Sequence, residues 1–311
     1  MSAESRARRW RHRLEYVGLA LLLAVLRWLP RRWARAAGAA LGRLGYWFHR
    51  RWREVGRINL RLAFPERSQA ERERILRASF RHLGWTLAEF ARLPRYTARN
   101  IEEIIVCDGL EHYQQGAAGG KGVLFLTAHL GAWELSSFAH SLRGYPLAYV
   151  NRPLDNPWLD RLINRYRCLG GNVAIDRRHA ARTILDRLRQ RGDVGALMDQ
   201  NVVEGDGNVF VDFFGVAAST TAGPARLALH SGAAVVPGFA LWDQERGKYR
   251  LRFQPPLEVV RTGEAERDVA ENTARFNQVI EDTIRRYPEQ WLWIHRRWST
   301  RPPGEPPLYP F

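Results

Sequence analysis

The sequence predicts an α/β fold in which a mostly parallel central sheet is flanked by helices. Short apolar runs of strand length alternate with longer helical segments from about residue 100 onward, and this alternation is typical of parallel βαβ units. Polar residues directly follow three of the predicted strands, at His129, Asp176 and Asp199. Because the functional groups of such sheets lie at the carboxyl ends of strands, these three points predict a shared site.

The individual elements follow from hydrophobic periodicity and from capping residues. Ser68 and Glu71 form a predicted capping box that opens a long amphipathic helix, residues 68–93. Thr220 and Thr221 are expected to cap a later helix that begins near Pro224. The predicted strands are residues 101–107, 123–126, 147–150, 172–175, 194–198 and 234–241, with 249–253 as an antiparallel edge strand. The other predicted helices are residues 158–168, 180–191, 224–231 and 270–287.

The N-terminal segment of the 311-residue chain differs in composition from the rest. Its first 57 residues hold 14 Arg against 3 Glu, within a formal net charge of +16 for the whole chain. Tyr16 to Leu26 is an uncharged apolar run of 11 residues, shorter than the ~20 residues that cross a bilayer upright. Arg on both sides of this run, together with Trp10 and Trp28, predicts a helix held at a cytoplasmic membrane surface. An amphipathic helix packed on the domain is the alternative.

This change in composition predicts three parts of the chain. They are a basic, apolar membrane-anchoring helical segment, residues 1–57, a catalytic domain, residues 58–300, and a proline-rich tail, residues 301–311. The catalytic domain contains all of the predicted strands.

Several classes of function are excluded by composition and motifs. Cys107 and Cys168 have no partner pattern, so they suggest neither a disulfide framework nor a zinc site. The nine His residues show no metal-binding spacing, and the chain has no P-loop or dinucleotide glycine motif. We therefore expect no metal and no cofactor. The basic N-terminus is interleaved with apolar runs and lacks a nucleic-acid motif, which argues against nucleic-acid binding.

His129 and Glu134 are the candidate catalytic pair. They directly follow the apolar run 123–126, and Gly131 gives the backbone the freedom to turn between them. This places His129 in the turn and Glu134 in the first turn of the next helix. A carboxylate bonded to one imidazole nitrogen fixes the tautomer and raises the basicity of the other, which makes a general base for a hydroxyl. A polar pair without a catalytic role is the alternative.

The spacing His129-x-x-x-x-Glu134 resembles the His-x4-Asp/Glu signature of the glycerolipid acyltransferase superfamily. Segment 171–177, Gly-Asn-Val-Ala-Ile-Asp-Arg, is similar to that superfamily's second block, in which the Arg is thought to bind an anionic head group. The usual third block, Glu-Gly-Thr-Arg, is absent, and Met198-Asp199-Gln200 and segment 209–215 stand in its place. With further matches, such as segment 288–298, the pattern resembles the late acyltransferases of lipid A biosynthesis, the lauroyl/myristoyl transferase family.

The resemblance covers about residues 15–300 and implies a membrane-associated enzyme with a glycerolipid acyltransferase-like fold. Such an enzyme works at the cytoplasmic face of the bacterial inner membrane. It moves a fatty acyl chain from acyl carrier protein to a hydroxyl of a lipid A precursor of the Kdo2-lipid IVA type.

The resemblance also implies roles for individual residues. His129 would act as the base, Glu134 would orient it, and Asp199 would position an Arg or the acceptor. Arg177, Arg165 and Arg167 would hold phosphate or the carrier's phosphopantetheine. Backbone N–H groups near the start of the helix that follows His129 are expected to hold the oxyanion.

The acceptor and the activity itself have alternatives. Phosphatidylinositol mannoside, ornithine lipid or another hydroxylated lipid would need the same base, so the His–Glu pair does not distinguish acceptors. A catalytically inactive membrane scaffold is the rival from a different class, and the intact pair argues against it. The positive charge suits an acidic carrier protein, a phosphorylated acceptor and an anionic membrane surface.

Overall fold

The structure, a computed structural model, describes residues 3–151, 153–176, 180–203, 205 and 207–310. Its α-helices are α1 (Ala3–Trp28), α2 (Arg31–Phe48), α3 (Arg50–Ala63), α4 (Gln69–Arg92), α5 (Leu110–Ala118), α6 (Trp133–Leu142), α7 (Pro157–Arg167), α8 (Ala180–Arg189), α9 (Gly223–Ser231) and α10 (Ala265–Arg286). Its strands are β1 (Ile105–Asp108), β2 (Val123–Thr127), β3 (Leu147–Asn151), β4 (Val173–Asp176), β5 (Asp193–Leu197), β6 (Asn208–Phe213), β7 (Val216–Thr221), β8 (Ala234–Asp243) and β9 (Lys248–Phe253).

In the described part of the chain, seven strands form one sheet in the order β1-β9-β8-β2-β5-β3-β4. Strands β8, β2, β5, β3 and β4 run parallel, whereas β9 is antiparallel to β8 and β1 is parallel to β9. The predicted α/β fold with a mostly parallel sheet is therefore confirmed. The predicted edge position of segment 249–253 is wrong, because the short strand β1 pairs with its outer side.

Strand β2 lies at the centre of this sheet and is buried along its whole length. Leu124 and Leu126 point into a core that contains side chains of α8, α9 and α10. Val123 and Phe125 point into the other core, with side chains of α4, α5, α6 and α7. A parallel strand covered on both faces carries apolar residues throughout, which explains the sequence Val-Leu-Phe-Leu. The loop that follows β2 therefore starts from a central strand that is packed on both faces.

Strands β6 and β7 form a separate antiparallel hairpin, which the sequence did not predict. Because β7 continues to Thr221, the predicted helix cap at Thr220 and Thr221 is wrong. The residue before α9 is Ala222, which makes no side-chain cap, and Thr221 Oγ1 only accepts the backbone N–H of Gly223 at 3.3 Å.

Helix α1 packs against α4 and α7. Leu23 and Leu26 are each 1% exposed and share an apolar cluster with Phe90 of α4, and Asn156 Nδ2 donates to the carbonyl of His12 at 2.9 Å. No helix among the described residues is both long and apolar enough to cross a membrane. The predicted boundary at residue 57 falls inside α3, and the division into an anchor and a domain stays a prediction.

Helix α4 begins at the predicted capping box and packs closely against α2. Ser68 Oγ accepts the Glu71 backbone N–H at 3.3 Å, and the Glu71 carboxylate accepts the Ser68 backbone N–H at 2.9 Å. Further along, a Cβ on Gly84 would lie 1.9 Å from the Gly38 carbonyl oxygen, and one on Gly38 would lie 2.2 Å from the Gly84 oxygen. The two helices therefore touch through their backbones.

The segment after α10 runs back across the domain and is anchored by buried polar groups. Asn59 of α3 donates its Nδ2 to the carbonyls of Trp293 and His295, both at 2.7 Å. Arg297 is fully buried and donates to the Ser219 carbonyl of β7 at 2.7 Å. Burial lowers the pKa of Arg297 to about 10. This segment connects α3, the β6–β7 hairpin and, as described below, the loop after β2.

Candidate active site

The candidate base, His129, lies in the loop between β2 and α6. Gly131 turns the chain with φ = +64°, and a Cβ at this position would lie 2.0 Å from the Ala240 carbonyl oxygen. Only glycine fits such a turn without displacing the backbone. Helix α6 begins at Trp133, so Glu134 lies in its first turn. The predicted placement of His129 in the turn and Glu134 in the helix is confirmed.

Asp199 is the carboxylate that holds His129. It is 1% exposed, and it accepts the His129 backbone N–H at 3.0 Å and approaches Nδ1 at 2.9 Å. Trp291 Nε1 also donates to it, at 2.8 Å. Burial acts to raise the pKa of Asp199, but attraction to His129 and these hydrogen bonds outweigh it and lower the pKa to about 2. Asp199 is therefore ionised throughout the physiological range.

This contact fixes the tautomer of His129. An ionised carboxylate only accepts hydrogen bonds, so Nδ1 carries a ring proton, and in the neutral ring the lone pair is on Nε2. Gln200 Nε2 lies 3.4 Å from His129 Nε2, and both residues line the cavity described below. The arrangement gives an unprotonated nitrogen that can take a proton from a bound hydroxyl.

Glu134 binds Arg167 instead of His129, and the predicted Glu134–His129 hydrogen bond is wrong. Its carboxylate accepts from Arg167 Nε at 2.8 and 3.1 Å and from Nη2 at 2.5 Å. Burial acts to lower the pKa of Arg167, but the Glu134 carboxylate outweighs it and raises the pKa above its usual value. The bidentate pair joins α6 to α7, because Arg167 is the last residue of α7.

The remaining predicted substrate-binding residues have different positions. Arg165 is exposed on α7 and is not part of the wall of the cavity beside His129. Arg177 lies outside the described residues. Of the predicted Arg residues that the structure describes, Arg167 is the one that lines the same cavity as His129.

A cavity of about 310 Å³, here called the base cavity, opens beside His129. It lies over the carboxyl ends of β2, β3 and β5, as expected for a parallel sheet. The polar side chains in its wall are those of Thr127, His129, Glu134, Ser137, Tyr149, Arg167 and Gln200. Its apolar wall is formed by Phe125, Trp133, Leu147, Val150 and Leu197. A cavity in which polar groups and apolar side chains alternate in the wall is suited to a substrate with both a polar and an apolar part.

The C-terminal segment fixes the loop that carries the base. Gly131 N–H donates to the Gln290 carbonyl at 2.9 Å, and Leu292 N–H donates to the His129 carbonyl at 3.1 Å. Ala132 N–H donates to the Ala240 carbonyl at 2.9 Å. The expectation that N–H groups near Gly131 hold the oxyanion is therefore wrong for Gly131 and Ala132, whose donors are already used by the fold.

Gln200, Trp291 and the role of Asp199 were not identified from the sequence. Strands β2 and β5 pair in parallel with Thr127 opposite Leu197, and His129 and Asp199 each lie two residues beyond that pair. The sequence showed that both residues follow strands. It did not show that these two strands are neighbours, which is what brings the side chains together.

The described residues contain no group of three or more His, Cys, Asp or Glu side chains placed to hold a metal ion. The predicted absence of metals and cofactors stays a prediction. Among the residues that line the base cavity, the proton-accepting groups are a histidine and a carboxylate, with no cysteine beside them.

Fold and site together define a class of protein, an α/β protein with a carboxylate-held histidine at the carboxyl end of its central strand. The sequence matches the family model described as "Bacterial lipid A biosynthesis acyltransferase" over residues 3–300. The chain therefore belongs to the bacterial lipid A biosynthesis acyltransferase family and is an acyltransferase. The family resemblance found in the sequence motifs is confirmed.

Individual relatives agree over nearly the whole chain. The lipid A biosynthesis lauroyltransferase of Escherichia coli (strain K12) is 31% identical over 301 residues, 96% of this chain and 95% of the relative. The lipid A biosynthesis palmitoleoyltransferase of the same organism is 31% identical over 273 residues, 88% of this chain and 87% of the relative. A lipid A biosynthesis acyltransferase of Haemophilus influenzae is 27% identical over 268 residues, 85% of this chain and 82% of the relative.

Proposed function

We propose that the protein transfers a fatty acyl chain from an acyl carrier protein thioester to a hydroxyl group of a lipid A precursor of the Kdo2-lipid IVA type. The observation that carries this proposal is the orientation of His129, with Nδ1 held by Asp199 and Nε2 beside Gln200, which also lines the base cavity. The named activities of the relatives support the choice of an acyl donor and a lipid A acceptor.

In the proposed mechanism His129 acts as a general base and then as a general acid. Nε2 takes the hydroxyl proton while the hydroxyl oxygen attacks the thioester carbonyl carbon, which forms a tetrahedral intermediate. The carbon–sulfur bond then breaks, and the departing thiolate takes the proton back from the imidazolium. The ionised Asp199 stabilises the positive imidazolium between these two steps. The acyl ester and a free carrier thiol are the products.

Arg167 is the proposed binding group for the negatively charged part of the substrate. A guanidinium has five N–H donors, and Glu134 engages those on Nε and Nη2. The remaining N–H donors of Arg167 would bind the oxyanion or a phosphate of the substrate. Glu134 is then a positioning residue that acts through Arg167. Gln200, next to Nε2, is placed to hydrogen-bond the reacting hydroxyl.

We also propose that the N-terminal helices lie on the cytoplasmic face of the bacterial inner membrane. Helix α1 exposes apolar side chains at intervals of three or four residues, among them Trp10 (59% exposed), Leu14, Leu21 and Trp28 (71% exposed). Guanidinium groups lie beside both tryptophans, Arg13 over Trp10 at 5.5 Å and Arg27 over Trp28 at 5.8 Å. Exposed Trp with flanking Arg is typical of a helix in the lipid–water interface.

The decisive experiment is transfer of a labelled acyl chain from acyl carrier protein to the tetra-acylated lipid A precursor that carries its sugar acid. The wild type is compared with Asp199→Asn, which keeps the size of the side chain and removes its charge, and thermal melting checks that the variant is folded. Transfer by the wild type and its loss in the variant support both acceptor and mechanism. If a folded wild type transfers nothing to this acceptor while it acylates another lipid from total membrane extract, the acceptor proposed here is wrong.

A further inference from the structure

Two apolar cavities adjoin the base cavity on opposite sides. The first, the N-terminal cavity, has a volume of about 390 Å³ and shares Trp133, Glu134 and Arg167 with the base cavity. Its other walls come from α1, α2, α3, α4 and α7. The Glu134–Arg167 pair therefore stands between the base and a pocket that is formed largely by the N-terminal helices.

The second, the α8–α9 cavity, is the largest of these, at about 650 Å³. It lies on the opposite face of the sheet, between the helices α8 and α9 and the side chains of Leu124 and Val194. Val150, Gly195 and Leu197 line both this cavity and the base cavity. The two cavities thus meet at the carboxyl ends of β3 and β5.

The proposed reaction requires two acyl chains to meet at His129 Nε2. One belongs to the donor thioester, and the other carries the hydroxyl group of the acceptor. Each chain loses apolar surface to water when it is bound, which contributes about four-fold in affinity per methylene group. Two apolar cavities that adjoin one base therefore match the number of chains that the reaction brings together.

We infer that the α8–α9 cavity holds the acyl chain that is being transferred, and that the N-terminal cavity holds the chain of the acceptor. This inference rests on the proposed function. Helices α1 and α2 form walls of the N-terminal cavity through Leu19 and Leu41, and α1 is also the helix that exposes Trp10 and Trp28. A lipid acceptor in the membrane therefore has the shortest path to that cavity.

The donor chain arrives from the other side. The α8–α9 cavity lies across the sheet from α1, and Arg226 stands in its wall, half exposed and 3.8 Å from the more exposed carboxylate of Glu266. A basic group there suits a negatively charged, water-soluble carrier. Because the thioester carbonyl must reach His129, the chain passes over Gly195 and Leu197 into the cavity. The depth of this cavity then sets the chain length that is transferred.

Position 223 gives a direct test, because Gly223 lines the α8–α9 cavity and a Cβ there would contact only Thr221 Oγ1, at 3.3 Å. We expect Gly223→Phe to reduce transfer of palmitoyl relative to myristoyl by about 15-fold, for the two methylene groups that no longer fit. Gly45→Phe is the matched control, because Gly45 lines the N-terminal cavity and its Cβ would make an ordinary van der Waals contact with Phe80 Cδ1, at 3.6 Å.

The control variant should keep the donor preference of the wild type and show a raised KM for the acceptor. Thermal melting checks that both variants are folded. If Gly223→Phe does not fold, Ala196→Phe, in the same cavity wall as Gly223, repeats the test. A changed donor preference in Gly45→Phe, or an unchanged preference in the folded variants of the α8–α9 cavity, would overturn the assignment of the two chains.

Photocross-linking tests the same inference without any acceptor. Acyl carrier protein or coenzyme A loaded with an acyl chain that ends in a diazirine is irradiated with the wild-type protein, and the labelled peptides are mapped. Label in β5, α8 or α9 supports the inference, and it does so even if transfer to the lipid A precursor fails. Label in α1, α2 or α4, or no label from either donor, contradicts it.

Discussion

The carboxylates of Asp199 and Glu134 both lie near His129, but they bind different partners and so are expected to have different roles. Asp199 contacts His129 through the ring and the backbone, so it controls both the tautomer and the position of the imidazole. Glu134 contacts Arg167 with both oxygens, so it controls the position of a cation. Substitutions at the two residues should therefore affect different kinetic constants.

We expect Asp199→Asn to lower kcat by at least ~10²-fold at saturating substrate, because the amide no longer fixes the reactive tautomer or stabilises the imidazolium. The substitution His129→Ala should lower kcat by as much.

In Glu134→Gln, KM should rise by about ten-fold, since the ion pair that places Arg167 is weakened, while kcat changes less. Steady-state kinetics with varied donor and acceptor would separate these effects. The reverse pattern would make Glu134 the residue that orients the base.

His140 of α6 is expected to make the protein sensitive to acid. It is fully buried beside Phe125 and Tyr145, and neither ring nitrogen has a hydrogen-bond partner among the described residues. Burial, with a smaller effect of Arg143, lowers the pKa of His140 from 6.5 to about 3. Between these values the unfolded chain binds a proton that the folded protein does not. The contribution of His140 to the free energy of unfolding therefore falls by about 1.4 kcal/mol for each pH unit between 6.5 and about 3.

The substitution His140→Phe removes this proton-linked loss. Urea unfolding should show a stabilisation relative to wild type that is about 2 kcal/mol larger at pH 5 than at pH 7. Tyr145→Phe, in the same aromatic cluster, should leave the pH dependence of wild type unchanged. Parallel stability–pH curves for His140→Phe and wild type would contradict the assignment.

At the scale of elements, the contact between α2 and α4 is the most sensitive to added volume. In Gly84→Ala the new methyl group would meet the Gly38 carbonyl oxygen at 1.9 Å, so the helices must separate. We expect a loss of about 1–3 kcal/mol in the free energy of unfolding. Gly18→Ala on α1 is the control, because nothing lies within 4 Å of its Cβ; helix propensity predicts a gain of up to about 1 kcal/mol. Equal melting temperatures for the two variants would contradict the close contact.

The elements of the core were largely predictable from sequence, whereas their neighbours in space were not. The apolar run of β2 and the capping box of α4 have local causes, and both were predicted at nearly their observed bounds. The β6–β7 hairpin was missed because β7, Val-Ala-Ala-Ser-Thr-Thr, lacks the alternation of a half-buried strand. The contact of His129 with Asp199 depends on strand order, which no local pattern contains. The sequence therefore predicts that Glu134, the carboxylate nearer to His129 along the chain, orients the imidazole.

At the scale of the whole molecule, we expect binding of the protein to lipid vesicles to depend on salt and on lipid charge, because the proposed membrane surface is rich in Arg. The wild type should sediment with vesicles that contain phosphatidylglycerol, less so with pure phosphatidylcholine, and less again as NaCl screens the Arg charges. A Trp10→Ser, Trp28→Ser double variant should bind these vesicles more than ten-fold more weakly. Val203→Ser, which removes an exposed apolar residue elsewhere, should bind as wild type does. Equal binding of the double variant would place the membrane contact elsewhere.

The loop that carries the base is held by residues from far along the chain, and this has a consequence for biosynthesis. Gln290 and Leu292 fix the backbone around His129, and Trp291 completes the hydrogen bonds of Asp199. On the ribosome, His129 and Asp199 emerge well before these partners exist. A growing chain thus carries every proton-transfer group of the site without being able to use them. We therefore expect acyl transfer to begin only when residues 290–292 have been translated and have folded back onto the sheet.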